Sequence, residues 1–225
     1  MPMQSHRTAL PRERPVTLLP PDSVQSLAEG AALLVGGASP LADTLPELLR
    51  ELVREAPLRH MLTLGGQRMS VAMSNCGNAG WISDRRGYRY ETHDPTTGRP
   101  WPAMPAVLRE LARDMAARAG YDGFDPDACL INCYAPGTRL TLHQDRNERD
   151  LTAPVVSVSL GLPAIFLYGG LQRRDRVRRL PLFHGDVLVW GGRERLVFHG
   201  VAPLEDGEHP LTGRHRLNLT FRSAL

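Results

Sequence analysis

In the stretch Leu140-Thr-Leu-His-Gln-Asp-Arg-Asn147, His143 and Asp145 stand two residues apart among alternating apolar and polar positions. Successive side chains of a strand point to opposite faces, so this imidazole and carboxylate project from the same one. With His199 as a second, distant imidazole, the set has the composition of a two-His-one-carboxylate iron centre. Such a centre leaves coordination positions open for a co-substrate and oxygen. A His-x-Asp pair also arises by chance on surface strands, so its meaning depends on its surroundings.

Two further groups of residues could serve such a centre. Arg216-Leu-Asn-Leu-Thr-Phe-Arg222 alternates without a break, with Arg216, Asn218, Thr220 and Arg222 on one face and Leu217, Leu219 and Phe221 on the other. A strand whose polar side is wet has this pattern. In a closed double sheet, however, one face points inward, where an unpaired Arg is costly. The two guanidiniums would begin about 20 Å apart along the strand and could lean together on a small dicarboxylate. Asn132 and Tyr134 share a face of another strand and would add an amide and a phenol.

Between two helical stretches lies Met69-Ser-Val-Ala-Met-Ser-Asn-Cys-Gly-Asn-Ala-Gly-Trp81, then Arg85-Arg-Gly-Tyr-Arg-Tyr90. Read as residues alone, this is an ordinary β-hairpin with surface aromatics. The alternative is a flap whose Trp81, Tyr88 and Tyr90 stack on bases while Arg85, Arg86 and Arg89 meet phosphates.

The elements that must position these groups are legible as period and punctuation. Gly30 to Gly36 reads as a short buried strand. Ala42 to Ala56 and Pro105 to Ala119 read as amphipathic packing helices, the second ended by Gly120. From Cys129 onward about eight short strands alternate with turn signals: Cys129–Tyr134, Arg139–Asp145, Pro154–Leu160, Ala164–Tyr168, Val177–Phe183, Val187–Trp190, Leu196–His199 and Arg216–Arg222. That spacing is the signature of a double-sheet jelly roll. The 225 residues suffice for one domain with a full core. The 42% hydrophobic and 23% charged content is that of a globular protein. No apolar run approaches a bilayer span of roughly 18 residues, and the first 21 residues lack a signal-peptide pattern. The three cysteines have no disulfide-framework spacing and suit a reducing, cytoplasmic setting as buried free thiols. All 27 basic residues are Arg, and the net charge of +3 is compatible with a polyanionic partner without requiring one.

Taken together, from about Leu27 onward the chain resembles the AlkB family of nucleic-acid repair dioxygenases. The resemblance is densest at Met69-Ser-Val-Ala-Met73, Trp101-Pro-Ala-Met-Pro105, Asp127-Ala-Cys-Leu-Ile-Asn132, Tyr134-Ala-Pro-Gly137, Leu142-His-Gln-Asp145, Ala153 to Phe166, His184-Gly-Asp186, Trp190-Gly-Gly192 and Asn218-Leu-Thr-Phe-Arg222. It implies an α+β protein built on a double-stranded β-helix (jelly roll) with flanking N-terminal helices and a nucleotide-recognition flap. The expected layout is a flexible arm over 1–25 and one domain over 26–225, with the flap at about 65–95 and the jelly-roll core at about 127–225. It further implies that His143, Asp145 and His199 bind Fe(II), and that Asn132, Tyr134, Arg216, Asn218 and Arg222 hold 2-oxoglutarate, with O2 as the second co-substrate. Trp81, Tyr88, Arg89 and Tyr90 would form the lid, reversing the plain reading of the hairpin, with Asn147 and Arg173 beside the substrate. The implied activity is oxidative demethylation of bases of the 1-methyladenine and 3-methylcytosine class. The expected partner is alkylated single- or double-stranded DNA, or RNA, met by a monomer with no membrane association. Two departures stand out. Asn147 replaces an acidic residue of the best-known member, and Phe198 replaces a Tyr. The alternatives are a jelly roll that binds nucleic acid without turnover, and a dioxygenase acting on a protein or small metabolite.

Overall fold

The computed structural model describes Leu10, Pro11, Arg14 and residues 20–225. Most of the expected arm therefore lies outside the described residues. Arg14 within it pairs with buried Asp186 and lies 4.7 Å from the Phe183 ring centroid. The chain opens with strands β1 (Val24–Ala28) and β2 (Ala31–Leu34), then helices α1 (Ser39–Ala42) and α2 (Leu45–Glu55). β3 (Ala72–Gly77), the hairpin strands β4 (Gly80–Asp84) and β5 (Gly87–Glu91), and helix α3 (Ala106–Arg118) follow. The rest is β6 (Ala128–Tyr134), β7 (Leu140–His143), β8 (Val155–Gly161), β9 (Ala164–Tyr168), β10 (Arg178–Leu182), β11 (Val187–Trp190), β12 (His199–Val201) and β13 (Arg216–Arg222).

These strands form a seven-stranded sheet in the order β1-β2-β11-β8-β13-β6-β3 and a four-stranded sheet in the order β10-β9-β12-β7, with β4-β5 as a separate ribbon. Every pairing is antiparallel. One core, including Leu130, Tyr134, Phe166, Leu188 and Trp190, lies on the inward faces of the sheets. A second fills the space between the larger sheet and the helices. Leu45, Leu49 and Leu52 of α2 and Leu108, Leu111 and Met115 of α3 are buried there against Ile131, Leu219 and Phe221. The spacing of those residues puts one apolar stripe on each helix, which is why both lie flat on the sheet. The β8–β9 turn requires glycine: Gly161 has φ +81°, and a Cβ there would sit 2.3 Å from Thr212 Oγ1 and 2.5 Å from the His215 carbonyl oxygen.

Four boundaries move. The expected arm ended at residue 25, yet β1 begins at Val24; its exposed, irregular pattern hides an edge strand with only Leu27 buried. The expected flap included β3, which is instead the outermost strand of the larger sheet, with Met73 opposite Asn132. β7 stops at His143, before Asp145. A 3-10 turn at Gly192–Glu194 delays β12 until His199. Among the described residues, no helix is long and apolar enough to cross a membrane.

Candidate iron and co-substrate site

His199 on β12 pairs directly with His143 on β7 across the smaller sheet, so the two imidazoles lie with ring centroids 4.4 Å apart. The register shifts between His199 and Val201, an irregularity of the kind that re-aims side chains beside functional sites. Asp145 follows the end of β7, and its carboxylate faces the Nε2 atoms of both rings. Its Oδ1 lies 3.7 Å from His143 Nε2 and its Oδ2 3.7 Å from His199 Nε2. Among the described residues these three form the one group able to hold a metal ion, with all ligand atoms within 4.8 Å of one another. The His143 and Asp145 side chains do come together, but not by strand parity, because β7 ends at His143 and no strand connects them.

The other ring nitrogen of each histidine faces a main-chain carbonyl, Thr141 at 2.9 Å and Val197 at 3.0 Å. A carbonyl only accepts, so Nδ1 must carry the proton and Nε2 presents a lone pair to the centre. Burial, reinforced by His143, holds His199 down at about 4, which keeps it the neutral ligand that a metal requires. Burial alone would raise the Asp145 carboxyl, but Arg222 and both imidazoles override it and hold it well below the usual carboxylate range. These donors suit Fe(II), and the open side of the triad leaves room for further ligands.

β13 supplies the arginines. Arg216, Asn218, Thr220 and Arg222 are all buried, at 1 to 6% exposure, so this polar face is interior and not wet. Arg222 donates through Nε at 3.0 Å and Nη2 at 2.7 Å to Asp145 Oδ2. Arg216 on β13 stands opposite Tyr134 on β6, with its guanidinium carbon 5.0 Å from the ring centroid, and Nη2 donates to Ser159 Oγ at 3.0 Å. Its Nε and Nη1 are buried with no partner, as is Asn132 Oδ1. Burial without an opposing carboxylate pulls the Arg216 pKa down. A buried cation with two idle donors is what a carboxylate of 2-oxoglutarate would satisfy. Asn218 Oδ1 accepts from Asn132 Nδ2 at 3.3 Å and Thr220 Oγ1 at 3.1 Å, fixing the floor between the arginines.

The hairpin β4–β5 carries the expected lid residues. Trp81 and Tyr88 stack at 5.7 Å with 12° between ring planes, and Tyr88 is 44% exposed. Arg89 is committed to its own hairpin through Asp84 at 2.9 Å and Glu91 at 2.8 Å, while Arg85 and Arg86 are exposed. Tyr90 turns inward, donating from its hydroxyl to Glu148 Oε1 at 2.7 Å. Arg173 lies 4.8 Å from the Phe198 ring centroid and donates to the Leu142 carbonyl at 2.6 Å, so it sits beside the chain neighbours of both His143 and His199. Asn147 is exposed, whereas Glu148 is buried.

Two residues of this network had no clear signal. Strand parity could not place Glu148, because the strand β7 ends at His143, five residues before it. Arg195 lies in an irregular stretch between β11 and β12, yet it holds the Asp145 and Ala153 carbonyls at 2.6 and 2.9 Å.

Comparison with known proteins places this arrangement. Residues 27–222 match the model of the 2OG-Fe(II) oxygenase superfamily. The chain is 54% identical over 200 residues to the alpha-ketoglutarate-dependent dioxygenase AlkB of Escherichia coli, covering 89% of this chain and 93% of that one. The Salmonella typhimurium protein of the same name is 52% identical over 200 residues, with the same coverage of 89% and 93%. The solved structure of OsALKBH1 superposes with a TM-score of 0.76 at 29% identity, covering 89% of this chain and 99% of that one. The chain thus belongs to the 2OG-Fe(II) oxygenase superfamily and, within it, to the AlkB family.

Proposed function

We infer that this protein removes N-alkyl groups oxidatively from nucleic-acid bases, acting first on alkylated DNA with 1-methyladenine and 3-methylcytosine as representative lesions. The observation that carries the reading is the convergence of three features on one cluster of side chains. These are the His143, Asp145 and His199 triad, the idle donors of Arg216, and an aromatic hairpin tied to the site by Tyr90. A purely binding jelly roll has no use for a buried guanidinium with two unpartnered nitrogens, which costs stability unless an anion meets it. A small metabolite has no use for an exposed aromatic stack beside exposed arginines.

In this reading His143, Asp145 and His199 hold Fe(II), and Arg216 and Arg222 orient 2-oxoglutarate, flanked by Asn132, Tyr134 and Asn218. When bound, the metal with 2-oxoglutarate and O2 supplies the oxidation that hydroxylates the alkyl carbon, which leaves as formaldehyde. The chain's own contribution is position and exclusion. Trp81 and Tyr88 offer flat faces to a base that has left its stack, at a cost of a few kcal/mol. Arg173 and Asn147 are exposed and His143 is open to solvent, so a seated base would cover this side and exclude bulk water from the reacting atoms. Formaldehyde release from a panel of methylated oligonucleotides, DNA and RNA, single and double stranded, tests the reading. Turnover should need both Fe(II) and 2-oxoglutarate, and inactivity across the whole panel would overturn the reading.

A further inference from the structure

Glu148 is a buried acid that the reaction itself does not use. Its side chain is 2% exposed, and it stands where three elements meet. Oε1 accepts from the Tyr90 hydroxyl at 2.7 Å and lies 3.3 Å from Arg222 Nε. Oε2 lies 3.2 Å from Arg195 Nη2, outside hydrogen-bonding geometry. Arg222 is the same guanidinium that grips Asp145, and Arg195 holds the Asp145 main chain. On the hairpin, Tyr90 pairs directly with Trp81, which stacks on Tyr88. One carboxylate therefore joins the aromatic hairpin to the arginine beside the iron ligand.

We propose that Glu148 is a positioning residue that couples the β4–β5 hairpin to co-substrate binding, by sharing its carboxylate between the Tyr90 hydroxyl and Arg222. This rests on the reading above for the role of the hairpin, but not for the link itself. The physical reason is competition for a single charge. While Tyr90 donates to Oε1, part of the carboxylate's hydrogen-bonding capacity is taken, and Arg222 remains available to an incoming carboxylate. If the hairpin lifts and withdraws the hydroxyl, Glu148 turns its charge on Arg222 Nε, and 2-oxoglutarate must compete with it. Coupling of this kind is reciprocal, so a bound co-substrate favours the seated hairpin by the same factor.

The test is a double-mutant cycle on 2-oxoglutarate affinity, measured calorimetrically on the full chain with Mn(II) in place of Fe(II), so that no turnover occurs. Tyr90→Phe removes only the hydroxyl and should weaken 2-oxoglutarate roughly three- to tenfold, the size of one hydrogen bond. In the Glu148→Gln background the same change should alter the affinity less than about 1.5-fold, because the shared charge is gone. A purely structural role for Tyr90 would lower Tm without moving this affinity. An unchanged Kd in Tyr90→Phe, or an equal effect in both backgrounds, would overturn the proposal. Should Glu148→Gln not fold, Tyr90→Phe alone decides it, through the reciprocal measurement. In the wild type, 2-oxoglutarate with Mn(II) should tighten binding of a 3-methylcytosine oligonucleotide, and in Tyr90→Phe it should do so less, by the factor lost in co-substrate affinity. An equal tightening in both proteins counts against the coupling. Absence of oligonucleotide binding in the wild type would sink the reading of function while leaving the co-substrate arm to decide the link.

Discussion

At the scale of single residues, Arg216 is the most exacting position, because two of its buried nitrogens have no partner in the protein. Arg216→Lys keeps the charge but loses the planar fork. It should weaken 2-oxoglutarate by roughly 1.5–3 kcal/mol, on the order of ten- to a hundredfold in Kd. Calorimetric titration checks this, and an unchanged Kd would move the carboxylate elsewhere. Asn147 tests base choice. It is exposed two residues beyond Asp145 and, unlike a carboxylate, can donate as well as accept. Asn147→Asp should raise the ratio of kcat/KM for 1-methyladenine over 3-methylthymine, since the first is cationic and offers an amine. An unchanged ratio would show that this position does not read the base edge. His143 and Asp145 were legible because they sit close in sequence, and Arg216 and Arg222 because β13 alternates without interruption. Glu148 was not, because its orientation depends on where β7 stops, and a pattern of period two carries no information past its own end.

At the scale of elements, the stretch from the β9–β10 turn into β10 places Arg173 beside the chain neighbours of His143 and His199 and leaves Arg174, Arg176 and Arg179 exposed. Arg178, in the same run, is committed to the Leu27 carbonyl at 2.8 Å and to the Tyr168 ring. Neutralising Arg174, Arg176 and Arg179 together should therefore weaken oligonucleotide binding irrespective of sequence. It should also flatten the salt dependence, each lost phosphate contact removing about 0.7–0.9 from the log–log slope. The same slope in the triple variant would leave the run as solvated surface. The turn and the β9 and β10 strands were visible in the sequence through Gly169-Gly170 and the β-branched and aromatic runs around them. β1 was invisible because an edge strand with one buried side chain has no alternation to read. β3 was absorbed into the flap because Ala, Ser, Asn and Gly carry little strand propensity; its buried pairing with β6 decides its place.

For the molecule as a whole, two cores with β13 between them explain how a strand carrying two buried arginines stays folded. Leu219 and Phe221, both 0% exposed, anchor the strand to the helices on one side, while its charged face looks into the site on the other. Phe221→Ala should cost about 3–5 kcal/mol and lower Tm by roughly 10 °C. Its effect on 2-oxoglutarate affinity at lower temperature should be small if the strand keeps its register, and thermal unfolding alongside titration separates the two effects. The jelly roll followed from the regular spacing of short strands, whereas the partition into seven and four strands depends on long-range pairing that no local pattern encodes. The central claim is that all these parts serve one coupled oxidation, and its most direct measurement is product stoichiometry. With Fe(II), O2 and a 3-methylcytosine oligonucleotide, the wild type should release formaldehyde in step with succinate formed from 2-oxoglutarate, and His143→Ala should form neither. Equal formaldehyde from wild type and His143→Ala, or from wild type in a chelated assay lacking 2-oxoglutarate, would contradict the account.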